Sequence, residues 1–315
     1  MLYKIIEAIK ESELNGLLSQ SHSNILSGFS GNKLVGALQR LSSLYEEDVD
    51  ACYLEVGVFQ GLTLLSVASA CPKLACYGID NFSYHDPNGD NLAIVEQRAR
   101  KLGVENKFLI NQDYEDALES LNQHIHDRKV GLYFVDGPHD YRSQFMCLEL
   151  ILPHLHRDSV IVVDDCNYLH VRQANRDFLV THPEFKLVFE AYTKCHPKNM
   201  NASDEADARK GWWDGVNIIA RDPQNLLPKM YPPTEKNRLL YENDHITHAA
   251  RLAEITPKTI QLANYLYSGK AIKVIKELIQ IYKESFRNRQ KYKERFDNMN
   301  TFSHNLPESN FNKIL

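Results

Sequence analysis

The residues able to do chemistry gather where apolar runs end. VGLYFV (130–135) is followed by Asp136, and SVIVV (159–163) by Asp164 and Asp165. Three clustered carboxylates repel one another unless a cation neutralises them. An all-oxygen set suits Mg²⁺ or a similar divalent ion, with waters or substrate oxygens completing the octahedron. Consecutive strand residues point to opposite faces, so Asp164 and Asp165 can meet one ion only if the chain turns there, which Cys166-Asn167 allows. The alternative is that one Asp caps the helix expected around Tyr168–Val180 while the others are solvated. His139 follows Asp136 by three residues. An imidazole with a pKa near ~6.5 can take a proton from a hydroxyl. Asp140 competes for that base role, and Asp136 counts as catalytic as well as metal-ligating.

A second group lies at a glycine turn. The run ACYLEV (51–56) leads into Glu55-Val56-Gly57-Val58-Phe59-Gln60-Gly61. Two glycines four apart at a strand-to-helix turn let the backbone approach a ligand closely, and the next helix offers unpaired N–H groups. The second run ends in Asp80, 23 residues after Gly57, where a carboxylate can accept from both hydroxyls of a ribose. Phe59 stands where the dinucleotide pattern requires its second glycine, so a nucleoside with an amino-acid tail fits better than a pyrophosphate. The third run ends in Asn111-Gln112-Asp113-Tyr114. Asp113 is placed to accept from an adenine amino group or to cap the helix expected over Tyr114–His126.

These side chains need a scaffold, and the pattern supplies one. Seven runs rich in Val, Ile, Tyr and Phe (51–56, 75–79, 107–111, 130–135, 159–163, 185–193, 215–221) alternate with amphipathic stretches. The central runs lack period-2 polarity, the mark of strands buried on both faces. Tyr141, Phe145, Leu148 and Leu152 line one helical face. Repeated strand–helix units imply right-handed crossovers and a mostly parallel α/β sheet covered on both sides. The last two strands read as an antiparallel edge pair joined by a polar loop, 194–214. Trp212 and Trp213 at its end make it a candidate lid, with packing at the sheet edge as the alternative.

The expected organisation is an N-terminal helical segment (1–45, with Ser30 capping Lys33–Tyr45), a core domain (46–221), a Pro-containing linker (222–243) and a helical extension (244–315). In the extension Ile272, Ile275, Ile279, Tyr282 and Phe286 space as 3, 4, 3, 4, a coiled-coil-like seam that offers a homo-oligomer interface. The residues after 297 read as loosely held.

Composition narrows the classes. A 43% apolar share in 315 residues supports a sizeable core, and a net charge of −5 argues against a chain dominated by phosphate-backbone binding. No run reaches the ~18 apolar residues of a membrane span, and the charged N-terminus is no secretory signal. The six cysteines form no C-x-x-C pair and no zinc-finger pattern. A cytoplasmic protein with buried free thiols is expected.

E-x-G-x-x-x-G after the first strand, an Asp after the second and an Asp after the third resemble the class I S-adenosylmethionine-dependent methyltransferases. Phe134-Val135-Asp136-Gly137-Pro138-His139-Asp140-Tyr141, followed by Val162-Val163-Asp164-Asp165, is similar to the small-molecule branch that contains macrocin O-methyltransferase and other sugar methyltransferases. The resemblance covers roughly residues 33–221. It implies a seven-stranded Rossmann-like sheet with an antiparallel last strand. It implies S-adenosylmethionine held around Glu55, Gly57, Gly61, Asp80, Asp113 and Tyr114. It further implies a divalent ion on Asp136, Asp164 and Asp165, a base at His139 and a small hydroxylated acceptor. Two other functions compete. Lys270–Arg295, with nine Lys/Arg against three Asp/Glu, could serve an RNA or protein methyltransferase. The absence of a D-P-P-Y-like sequence after the fourth strand makes nucleic acid the weaker choice. A catalytically inactive assembly partner is the other alternative, disfavoured by the intact turn and acids.

Overall fold

The computed structural model describes residues 1–18, 24–234, 255–291 and 306–314. Its centre is an eight-stranded sheet in the order β3-β2-β1-β4-β5-β7-β6-β8. The strands are β1 Ala51–Val56, β2 Ala75–Ile79, β3 Lys107–Ile110, β4 Lys129–Val135, β5 Leu155–Val163, β6 Phe185–Ala191, β7 Val216–Arg221 and β8 Ser309–Phe311. The first five are parallel, while β7 runs antiparallel between β5 and β6. The strand order reverses between β1 and β4, and ligands of such sheets bind at the carboxyl ends beside that switch point.

Both faces of the central strands are apolar, and alternate residues serve opposite layers. In β4, Leu132 and Phe134 join the cluster packed by α2 (Asn32–Ser43) and α3 (Leu62–Ala70). Tyr133 and Val135 join the one packed by α5 (Tyr114–Glu119), α6 (Asn122–Ile125), α7 (Tyr141–Leu150) and α8 (Leu169–Thr181). This two-sided burial is why the runs show no polar alternation. Each such side chain contributes about 1.5–3 kcal/mol relative to exposure. N-terminal α1 (Leu2–Asn15) packs on α2, and α4 (Asn91–Leu102) follows β2.

The structure differs from the sequence reading in five places. α2 starts one residue later than Gly31, which caps it without a side-chain bond, so Ser30 is not the cap. The single helix expected over Tyr114–His126 is two short ones; Ser120 Oγ donates back to Asp116 O at the break, a bond that competes with helix continuation. Segment 194–214 contains α9 (Ala202–Lys210), whose Asn201 side chain accepts from the N–H groups of Ser203 and Asp204. Trp212 and Trp213 are buried at 5% and 6% exposure. Trp212 packs on Phe189 and donates from Nε1 to Glu13 Oε2 at 2.5 Å, so these tryptophans anchor an edge instead of forming a lid. Finally, β6 is not an edge: β8, from the tail read as loose, pairs with it, and Asn312 donates to Leu187 O and Pro228 O.

The proline-rich stretch after β7 is tied down over its described part. Asp222 accepts from Leu227 N–H, and Arg172 donates to Pro233 O. Two further helices, α10 (Thr256–Tyr267) and α11 (Ala271–Lys291), form a hairpin. Residues 235–254 of the expected linker and extension lie outside the described residues. The six cysteines are free, five of them buried. Among the described residues no helix is long and apolar enough to cross a membrane.

Candidate active site

One half of the rim is built on Gly57 and Gly61. Gly57 has φ +91°, and a Cβ there would collide with the carbonyl oxygen of Asp136. The β1 turn therefore touches the end of β4, and only glycine permits both the conformation and the approach. Gly61, at φ +80°, caps α3. Asp80 Oδ2 accepts from the N–H groups of Val58 and Phe59 at 2.9 and 2.8 Å, and Oδ1 accepts from Phe82 N–H at 2.7 Å. The carboxylate thus braces the glycine turn. Three of its roughly four acceptor positions are filled, which leaves one for a ribose hydroxyl.

Glu55 is fully buried and accepts from Tyr53 OH at 2.5 Å and Thr63 Oγ1 at 3.2 Å. Burial outweighs those two bonds and pushes its carboxyl up to about 8. Asp113 is exposed and accepts from Glu115 N–H as the cap of α5, the structural alternative weighed for it above. Tyr114 is half-buried, and its hydroxyl donates to Glu115. One contact was not anticipated. Phe29, from the segment before α2, stacks on Phe59 at 5.4 Å, and Arg98 donates to both Ser27 O and Gln60 O.

The other half of the rim collects acids. Asp165 has φ +55°, so the chain does turn after β5, and Asp tolerates this left-handed conformation better than most residues. The ligand atoms of Asp136, His139 and Asp165 lie within 4.8 Å of one another. His139 Nε2 sits 2.7 Å from Asp165 Oδ2. Asp164 belongs to the same rim but not to that close group: its Oδ1 accepts from Asp165 N–H at 2.9 Å. Asp140 caps α7 through a bond from Ser143 N–H.

The electrostatics follow from crowding. Burial, then repulsion by Asp165, pushes Asp136 up to about 8. Burial and the charges of Asp136 and Asp165 hold Asp164 well above the carboxylate range. Asp165 is also penalised by burial, yet His139 brings it below its usual value.

A fourth carboxyl, Asp214, was missed by the sequence reading. It is 2% exposed, shares a hydrogen bond with Asp165, and is raised by burial and by Asp165. A signal existed: β7 runs antiparallel, so the residues just before it return to the rim where the parallel strands end. Tyr168 and His196 were missed too. Tyr168 stacks on His139 at 4.9 Å and its hydroxyl bonds His196 Nε2 at 2.9 Å.

The carboxylates outnumber the cationic groups beside them, and oxygen donors on one rim match a hard divalent ion. The residues present therefore fit such an ion, with Asp136 and Asp165 as its natural holders.

Sheet order and the glycine turn after β1 define a Rossmann-like fold, with Glu55 near the end of β1, Asp80 just after β2 and Asp113 beyond β3. Residues 54–166 match the methyltransferase domain family. A tRNA (guanine-N(7)-)-methyltransferase of Helicobacter hepaticus is 29% identical over 141 residues, which cover 42% of this chain and 33% of that protein. The chain thus spans about a third of that curated relative. Two solved structures share 12% and 16% identity with it: an O-methyltransferase from Bacillus cereus in complex with SAH (TM-score 0.45) and the O-methyltransferase TomG from Streptomyces achromogenes in complex with SAM (TM-score 0.44). Each likeness covers 69% of this chain and 90% of the other.

Proposed function

We propose that this chain moves a methyl group from S-adenosylmethionine to a hydroxyl of a small molecule, a sugar or natural product, in the cytoplasm. The observation that carries the reading is the convergence of Asp136, His139 and Asp165 beside the Gly57 turn. The glycine turn lies against the backbone carbonyl of Asp136, which sets the two sites side by side as in-line transfer between donor and acceptor requires.

The donor's nucleoside would lie against the Gly57–Gly61 turn, with Asp80, Asp113 and Tyr114 lining its path. A divalent ion held by Asp136 and Asp165, with Asp164 behind them, would supply Lewis acidity to the acceptor oxygen. His139 is the base. Asp165 accepts from Nε2–H and so fixes the orientation of the ring, Tyr168 fixes its plane, and the acceptor's proton would go to the other ring nitrogen, Nδ1. Methyl transfer from a sulfonium to an oxyanion cancels charge, so a site with few waters favours it. Buried Asp164 and Asp214 behind the rim leave little room for water there.

Methyl transfer to a panel of hydroxylated acceptors, with and without EDTA, tests the reading. Loss in chelator with recovery in Mg²⁺ is expected, and His139→Ala should lower kcat about 10²–10⁴-fold. Full turnover in EDTA removes the ion, and an unimpaired His139→Ala removes the base. The tRNA-methylating relative and the basic run 270–295 favour a second reading, an RNA acceptor. Salt-dependent retention of tRNA on filters, with methyl incorporation into it, would select that reading.

A further inference from the structure

The α10–α11 hairpin carries an apolar face that nothing in the chain's described residues covers. Ile272, Ile275, Leu278, Ile279, Tyr282 and Phe286 of α11 are each half exposed or more, Tyr282 by 75%. No residue of α10 or α11 belongs to either core cluster. Instead α10 packs on the other side of α11. Lys258 Nζ reaches Glu284 Oε1 at 2.7 Å, and Lys273 Nζ lies 5.4 Å from the centre of the Tyr265 ring. The exposed stripe is the 3, 4, 3, 4 seam, which a heptad reading assigns to the a and d positions.

We propose that α11 pairs with α11 of a second copy of this chain, parallel to it, along that seam. Size is the first argument. Six side chains at these exposures present roughly 700–800 Å² of mostly apolar surface, close to the ~800 Å² that one partner contributes to a standard interface. A patch larger than a few hundred Å² marks an interaction site.

Charge supplies the orientation. With Ile272, Ile279 and Phe286 at a, and Ile275 and Tyr282 at d, the e positions hold Lys276 and Lys283, while the g positions hold Ala271, Leu278 and Ser285. In a parallel pair e faces g of the partner, so each lysine meets a small or apolar neighbour along which its methylene stem can lie. In an antiparallel pair e faces e, and Lys276 and Lys283 would meet lysines. The hairpin is also suitably mounted. The strap before it and β8 after it are joined on one sheet edge by the bond from Asn312 Nδ2 to Pro228 O at 2.9 Å, so both ends of the excursion return to one place.

The test uses the full chain. Light scattering or sedimentation at tens of micromolar should give twice the 36.3 kDa chain mass, and the double variant Ile275→Glu, Ile279→Glu should return the single mass. Neither residue belongs to the core clusters, so the variant should keep the wild-type far-UV circular dichroism, which separates loss of pairing from loss of fold. For orientation, Ile272→Cys and Phe286→Cys are about 21 Å apart along the helix. In a parallel pair each should cross-link to its own copy on oxidation. A wild-type chain of single mass, or a double variant that keeps the doubled mass, overturns the pairing. Cross-linking only between Ile272→Cys and Phe286→Cys overturns the parallel orientation. A single-mass chain whose seam binds phosphatidylglycerol vesicles or RNA, and loses that binding in the double variant, overturns the proposal in favour of that surface. None of these outcomes depends on the methyl-transfer reading.

Discussion

The two halves of the sheet's carboxyl rim use the same residue types in opposite ways. On the β1–β3 half each acid accepts bonds from neutral donors. Asp80 holds three backbone N–H groups, Asp113 caps α5, and Glu55 accepts from Tyr53 and Thr63. On the β4–β5–β7 half the acids face one another. Asp136, Asp164, Asp165 and Asp214 raise or share one another's protons, with His139 against Asp165. The first half is satisfied without a ligand, whereas the second is relieved by protons or a cation. A carboxylate that holds a turn belongs to the fold; one that faces another carboxylate is where the proposed chemistry would take place.

Breaking the second half should cost the most activity and the least stability. Asp165→Asn, which keeps shape and removes charge, is expected to lower kcat about 10²–10⁴-fold, since it loosens His139 and removes an ion ligand. The thermal transition should fall only modestly, because the bond to His139 loses its charge while one repelling carboxylate is removed. A strongly lowered transition with intact turnover would reverse the assignment of the two halves. Asp80→Ala should do the opposite. It leaves three backbone N–H groups without their acceptor and should cost about 2–3 kcal/mol in denaturant unfolding, and calorimetric affinity for S-adenosylhomocysteine should fall as the turn loosens. Unchanged stability would mean that the turn holds itself.

The smallest effect sharpens the boundary at Glu55, the one acid of the first half whose proton affinity is strongly raised. Its native value of about 8 exceeds the ordinary 4.5 of the unfolded chain. The folded protein therefore binds a proton in that interval that the unfolded chain has released. The contribution is full below about pH 4.5 and declines as pH rises to about 8, by about 1 kcal/mol per unit at most. Glu55→Gln should flatten this part of the melting-temperature profile. An unchanged slope would place the titration on the crowded half instead.

Most of the core strands were legible because they are buried on both faces and so show as apolar runs of strand length; β3, at the sheet edge with Phe108 exposed, is the exception. Asp136, His139, Asp164 and Asp165 were legible because they end those runs. Asp214 was not, since its place depends on β7 running backwards. Nor was the role of Asp80 as a brace, which depends on the path of the turn beside it. The tryptophans stayed open between two readings because aromatic residues in a polar stretch read alike whether they cover a site or pack a segment down. Trp212 has its partners in β6 and, 199 residues away, in α1.

Local sequence thus determined what each segment is: strand, glycine turn, helix, and the acids at strand ends. These follow from backbone preference and from the periodicity of burial, which act over a few residues. Only the tertiary structure decided which acids meet. Carboxylates 29 and 78 residues after Asp136, at Asp165 and Asp214, come to one rim because β5 lies beside β4 and β7 beside β5. Coulomb repulsion and desolvation depend on that distance in space and not on separation along the chain.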